Sequence, residues 1–164
     1  MIVRDMSMDD CDLVALSWGS PEVGKYMGDP YYEDGDQVRA MFQENELNEH
    51  ENWTDDFYLV TVDKKTEEIN GTACAWLMKD DIWGIGYTID FKYWNQGLAT
   101  ELIRGLERFV RSQGGKALSS EIAKENIGSL KACYNNGFVN HREMSFQKSG
   151  TDIIHEAIEL RKDL

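Results

Sequence analysis

The stretch Tyr93-Trp94-Asn95-Gln96-Gly97-Leu98-Ala99-Thr100-Glu101 sets Gly97 and Ala99 at the opening of an amphipathic helical run. Residues this small let a ligand reach the main chain. The first turn of a helix leaves N–H donors unpaired beside the positive end of the helix dipole. Together these features make a cradle for an anion such as a phosphate. The stretch lacks the Lys-Ser/Thr ending of a P-loop. Nor is it a dinucleotide fingerprint, because Gly84-Ile85-Gly86 falls inside the preceding strand and has no third glycine. An ordinary strand-to-helix turn has the same composition. A second stretch, Asn126-Ile127-Gly128-Ser129-Leu130-Lys131-Ala132-Cys133-Tyr134-Asn135-Asn136-Gly137-Phe138, reads as a short helix closed by Gly-Phe. Cys11, Cys74 and Cys133 are far apart and share no metal-ligand spacing, so neither a metal site nor a disulfide framework is expected.

Strands and helices must carry these stretches. Ile2 to Met6, Phe57 to Val62, Gly71 to Met78 and Trp83 to Asp90 read as strands, the third by its alternation of Thr72, Cys74 and Trp76 against Ala73, Ala75 and Leu77. Gly84 and Gly86 invite a bulge in the fourth. Ser7 to Trp18 and Asp36 to Asn48 read as helices, with one short turn at Glu22 to Met27 between them. Leu98, Leu102, Ile103, Leu106, Phe109 and Val110 form a stripe at spacings of three and four, ended by Gly114-Gly115. Ala117 to Ala123 is a strand, and Phe138 to Gln147 pairs with Asp152 to Leu160 as a last hairpin. This order describes a mixed α/β domain around one central sheet.

The chain has 164 residues and a formal net charge of −13, enough length for a single domain with its own core. A hydrophobic content of 41% excludes a disordered acidic tail. No apolar run approaches the ~18 residues of a membrane span, and no basic-then-apolar segment opens the sequence. A cytoplasmic location with reduced thiols and no membrane partner is expected. Residues 1–70 hold 18 acidic and 5 basic side chains, whereas residues 71–164 hold 12 of each. This front-loaded negative charge disfavours nucleic acid as a partner and favours a cationic small molecule or basic peptide. It serves solubility as well.

Taken together, the two motif stretches resemble the GNAT superfamily of acyl-CoA N-acyltransferases. Its pyrophosphate loop has the form Gln/Arg-x-x-Gly-x-Gly/Ala, and Gly97 and Ala99 match the last two fixed positions, with Trp94 at the first. Gly86-Tyr87 followed by Tyr93 to Glu101 is similar to the ribosomal-protein N-acetyltransferase branch, where Trp is usual there. Asn126 to Phe138 is similar to the family's Asn-x-x-Ser/Ala helix ending in Gly-Phe. The resemblance implies one acyltransferase domain over residues 1–164, built as an α/β fold. It would have a mixed sheet of about seven strands, about four helices and a splay between the fourth and fifth strands. It implies acetyl-CoA as cosubstrate and no metal. The backbone of Tyr87, Thr88 and Ile89 would hold the pantetheine arm like an added strand. The amides of Asn95, Gln96, Gly97, Leu98, Ala99 and Thr100 would hold the diphosphate, and Asn126 would touch the arm.

An alkylamine acceptor is mostly protonated at neutral pH, with a pKa near ~10.4 if lysine-like, so the site needs a proton acceptor. Glu121 lies five residues before Asn126, where related N-terminal protein acetyltransferases carry a base. It shares a strand face with Ala117, Ser119 and Ala123, which predicts a partly desolvated carboxylate. The departing thiolate needs a proton, which much of the family takes from a tyrosine four residues before the glycine of Gly-Phe. Cys133 holds that slot and Tyr134 follows it, turned by about 100° on the helix. Cys133, Tyr134 and water remain the candidate proton sources, and an oxyanion is expected to meet a backbone N–H near Thr88 or Ile89.

The acceptor side of such a fold comes largely from the first two helices and the last hairpin. That places Glu22, Asp29, Glu33, Asp34 and Asp36 near the acceptor, with Glu33 and Asp34 as binding carboxylates. Tyr26, Tyr31, Tyr32 and Trp53 are candidate aromatic walls for a cation. The expected acceptor is an aminoglycoside-like or polyamine-like compound or a peptide amino terminus, and a homodimer is compatible with the sequence. Two other readings stand beside this one: a catalytically silent acyl-CoA sensor or interaction module, and a nucleotide-binding regulator using the same loop.

Overall fold

Leu102, Ile103, Leu106 and Val110 recur at helical spacing, and all four are buried. They belong to the longest helix of a computed structural model that describes residues 1–44 and 56–164. The described elements run β1 (Ile2–Asp5), α1 (Cys11–Trp18), α2 (Pro21–Gly24), α3 (Gly35–Glu44), β2 (Asp56–Val62), β3 (Ile69–Leu77) and β4 (Ile82–Ile89). They continue with α4 (Leu98–Ser112), β5 (Ala117–Ala123), α5 (Ile127–Asn135), β6 (Val139–Gln147) and β7 (Ile154–Asp163). The expected extension of the second helix to Asn48, and Trp53, lie outside the described residues.

The seven strands form one sheet in the order β1-β2-β3-β4-β5-β7-β6. Neighbours are antiparallel except β4 and β5. The alternation of each strand sorts its side chains onto two faces. One face presents Leu59, Ala73, Ala75, Trp83, Ile85, Leu118, Ile122 and Leu160 to α4 and α5. On the other, Val60 packs with Met6, Val14, Trp18, Tyr32, Val38 and Phe42 from the α1–α3 segment.

Pairing between β4 and β5 is limited to Ile82 with Ala117, Trp83 with Leu118 and Gly84 with Ser119. Beyond Gly84 the strands part, while β5 stays bonded to β7 as far as Ala123. The expected splay is therefore present, with its mouth at the carboxyl ends of two parallel strands.

The bulge expected at Gly84 and Gly86 is absent. β3 and β4 pair without a register shift from Gly71–Ile89 to Leu77–Trp83, and the shifts fall at Thr61/Val62 and Asn140/Arg142 instead. The glycines serve packing. A Cβ on Gly84 would sit 2.1 Å from the Trp76 ring, and one on Gly86 would sit 2.8 Å from the Cys74 sulfur. The strand that bears the expected oxyanion N–H near Thr88 or Ile89 is thus regular where it pairs with β3. Among the described residues, no helix is long and apolar enough to cross a membrane.

Candidate active site

The loop between β4 and α4 is fastened at both ends. The Trp94 indole donates to the Ile89 carbonyl at 2.6 Å, and Phe91 packs edge-on against it at 5.1 Å. The Tyr93 hydroxyl donates to Glu68 at 2.7 Å. Asn95 and Gly97 then take left-handed backbone conformations, at φ 60° and 77°. Gly97 is the N-cap of α4, and no side chain caps the helix. The first in-helix bond is Glu101 N–H to the Gly97 carbonyl at 3.1 Å, which leaves the amides of Leu98, Ala99 and Thr100 for an outside acceptor. No atom lies within 4 Å of the place a Cβ on Gly97 would occupy. This open cradle fits a diphosphate.

A cleft of about 680 Å³ joins the splay to the face carrying α1. Tyr87, Thr88, Glu121, Asn126 and Ser129 line it at the splay, and Tyr26, Asp29, Asp56 and Phe146 line it farther out. Ile89 is not among the lining residues, and its carbonyl is already bonded to Trp94. Asn126 caps α5, accepting from the Ser129 N–H at 3.2 Å, and so orients the first turn of that helix at the cleft wall. Thr88 ends a hydrogen-bonded chain: Trp18 Nε1 donates to Thr72 at 3.0 Å, and the Thr72 and Thr88 hydroxyls lie 2.8 Å apart. Because indole N–H can only donate, Thr72 can donate onward and leave the Thr88 proton for the cleft.

Glu121 points into the cleft and is exposed. The expected desolvation does not occur: Glu121 is exposed although Ser119 and Ala123 on the same strand face are buried. Its cross-strand neighbour on the same face is Glu159. That carboxylate is almost fully buried, bonded to Arg142, to Arg161 at 2.8 Å and to the Ser119 hydroxyl at 2.9 Å. Burial alone would raise its pKa, but the Arg142 and Arg161 guanidiniums and Ser119 outweigh that and hold it down to about 2. Glu159 therefore stays anionic and keeps Arg142 within electrostatic reach of Glu121.

Neither thiolate-protonating residue expected on α5 reaches the cleft. Tyr134 is exposed and donates to Asn140 at 2.7 Å. Cys133 is fully buried, and burial pushes its thiol up to about 11. Over it lies the Tyr87 hydroxyl, 3.6 Å from the sulfur and 3.3 Å from the Ser129 carbonyl. Strand alternation shows that Tyr87 points opposite to Thr88, but not what α5 would present to it.

On the acceptor side, Glu33 and Asp34 do not line the cleft. The Glu33 N–H bonds the Gln37 side chain, and Asp34 accepts from the Gln37 N–H at 3.0 Å, so this pair starts α3. The carboxylates that reach the cleft are Asp29 and Asp56. Desolvation moves the pKa of Asp29 upward from its ordinary value, and the nearby Lys148 charge works against that shift. Tyr26 lines the cleft edge-on to His155 at 5.8 Å, whereas Tyr32 is a core residue 5.6 Å from Trp18. Lys148, which reads in sequence as an ordinary turn lysine, is fully buried. Its ammonium donates to the carbonyls of Gly24 at 2.7 Å, Met27 at 3.3 Å and Asp29 at 2.6 Å. It also sits 4.1 Å over the Tyr31 ring. The β6–β7 turn thereby holds the segment that supplies Tyr26 and Asp29.

A helix-start cradle, a splay between parallel strands and a cleft running through it to an acidic face define an acyl-CoA-dependent transferase fold. A family model described as an acetyltransferase (GNAT) domain matches residues 1–139, and the chain belongs to that family of acyl-CoA-dependent N-acyltransferases. It is 30% identical over 155 residues to the uncharacterized N-acetyltransferase p20 of Bacillus licheniformis, covering 92% of this chain and 80% of the relative. Spermidine N-acetyltransferase from Vibrio cholerae, solved with CoA and spermine, superposes with a TM-score of 0.83 at 13% identity, over 99% of this chain and 94% of that one. AAC(6')-Ib, solved with ribostamycin and coenzyme A, gives 0.79 at 12% identity, over 98% and 92%.

Proposed function

We propose that the protein moves an acetyl group from acetyl-CoA to a primary amine of a cationic acceptor. One observation carries the choice of acceptor: Asp29, Asp56 and Glu121 line the cleft, and among its described lining residues there is no lysine, arginine or histidine. A cleft of one charge sign concentrates the opposite sign. The spermine and ribostamycin bound by the two solved relatives are amines, which agrees with a polyamine-like or aminoglycoside-like acceptor. A peptide amino terminus is the third member of that class, and it is the one the likeness to the ribosomal-protein branch favours.

The amides of Asn95 to Thr100 hold the diphosphate, and the unpaired β5-side edge of β4 at Tyr87 and Thr88 holds the pantetheine arm, with Asn126 beside it. The cosubstrate supplies an activated acyl carbon. Glu121 takes the amine proton, directly or through water. The Thr88 hydroxyl, fed by Thr72 and Trp18, is placed to donate to the acyl oxygen. The reaction takes place in the cytoplasm.

Free-thiol release from acetyl-CoA with a panel of polyamines, aminoglycosides and short peptides tests the reading. Turnover is expected with acceptors of two or more positive charges and not with simple monoamines, which carry one. Coenzyme A binding without turnover on any amine would replace it with the silent sensor.

A further inference from the structure

Of the three expected proton sources for the leaving group, neither α5 side chain serves, since Cys133 is buried beneath the cleft wall and Tyr134 is tied to Asn140 outside it, which leaves water or another side chain. We propose that the Tyr87 hydroxyl is the acid that protonates the departing coenzyme A thiolate. The inference rests on acetyl-CoA lying in the splay, as proposed above.

The argument is positional. Tyr87 lies on β4 just past Gly84, where pairing with β5 stops, so its backbone borders the gap that the thioester must enter. Its ring turns to the α5 side, and its hydroxyl is held there by the Ser129 carbonyl and the Cys133 sulfur. Tyr87 and Ser129 both line the cleft. Ser129 and Ser120 bring the other hydroxyls to this wall, but an alcohol is a far weaker acid than a phenol with a reference pKa of about 10. The donation to Ser129 is long at 3.3 Å, so a stronger acceptor can compete for the proton.

Proton affinities at this corner match the task. Burial moves Tyr87 upward, which keeps the phenol protonated until a thiolate forms. The same surroundings push the Cys133 thiol up to about 11, so a thiolate born there also holds a proton strongly. The step closes in atoms and charge. The amine nitrogen bonds the acyl carbon, and the C–S bond breaks with its electron pair on sulfur. The phenol proton moves to that sulfur. The nitrogen sheds two protons to solvent by way of Glu121, one before attack and one as the amide forms; one of them replaces the proton the phenol gave up, and the other is the net proton released.

The test uses Tyr87→Phe, which keeps the ring and removes the hydroxyl. Its readout besides turnover is the ultraviolet absorbance of the coenzyme A thiolate in the binary complex, followed against pH. Loss of a hydrogen bond to the thiolate is expected to raise the apparent pKa of the bound thiol by about one to two units. Turnover is expected to fall by about 10²-fold or more, with the KM for acetyl-CoA unchanged. Turnover within threefold of the parent overturns the proposal. A slower variant whose bound thiol titrates as in the parent overturns it as well, because lost packing alone produces that pattern. If coenzyme A does not bind the parent protein, the donor reading fails and this inference falls with it. If it binds and only the thiol titration stays unmoved, the inference alone fails.

Discussion

Glu121→Gln is expected to lower kcat by about 10²–10⁴-fold while leaving the KM for acetyl-CoA unchanged. A lysine-like ammonium with a pKa near ~10.4 is overwhelmingly protonated at neutral pH and has no lone pair to attack with. Glu121 is a cleft carboxylate beside the splay, and its exposure gives it a route for passing the proton on to solvent. Glutamine keeps the size but cannot take a proton. The variant's rate should therefore climb steadily with pH, as free amine arriving from solution replaces the missing base. Asp29→Asn separates the two carboxylate roles, since it is expected to raise the acceptor KM with little change in kcat. A Glu121→Gln enzyme within fivefold of the parent across the pH range would remove Glu121 from the base role.

Lys148→Met is expected to destabilise the fold by about 2–4 kcal/mol, because the lost ammonium leaves the carbonyls of Gly24, Met27 and Asp29 without their donor. For a chain of this size that is a fall in Tm of roughly 5–15 °C. Burial lowers the pKa of Lys148, and the nearby Asp29 charge works against that shift. The ammonium acts as a cross-link between the β6–β7 turn and the segment bearing Tyr26 and Asp29, reinforced by the Ser149 N–H bond to the Gly28 carbonyl at 2.8 Å. Loosening that segment should raise the acceptor KM by about tenfold, or ~1.4 kcal/mol, without altering the KM for acetyl-CoA. Thermal unfolding and steady-state kinetics on the same sample check both parts. An unchanged Tm would show that the three carbonyls find other donors. Equal rises in both KM values would show that the segment is not specific to the acceptor.

The features legible in the sequence were those that depend on local chemistry. Gly97 and Ala99 announce a backbone cradle because only small residues permit one, and the stripe from Leu98 to Val110 dictates the helix that opens it. The one-residue offset between Cys133 and Tyr134 correctly separates their directions on α5. What stayed hidden depends on partners far away in sequence. Glu121 is exposed while Ser119 and Ala123 on its own strand face are buried, a difference strand alternation cannot report. Gly84 and Gly86 look like bulge residues until the Trp76 ring and the Cys74 sulfur are seen lying across them. Glu33 and Asp34 read as acceptor carboxylates, yet Asp34 is a helix start; of the acids expected there Asp29 does line the cleft, and Asp56 joins it from β2. Tyr87 reads only as a main-chain contact for the pantetheine arm until α5 sets the Ser129 carbonyl and the Cys133 sulfur against its hydroxyl.

The most direct measurement is a calorimetric titration of the protein with coenzyme A, set beside pantetheine, which carries the same arm without the diphosphate. If the amides at the start of α4 grip the diphosphate, coenzyme A should bind with clear heat and weaken as salt is raised, while pantetheine binds at least about 100-fold less tightly, a difference of ~2.7 kcal/mol. Equal affinity for the two ligands, or no heat from coenzyme A at saturating concentration, would contradict it.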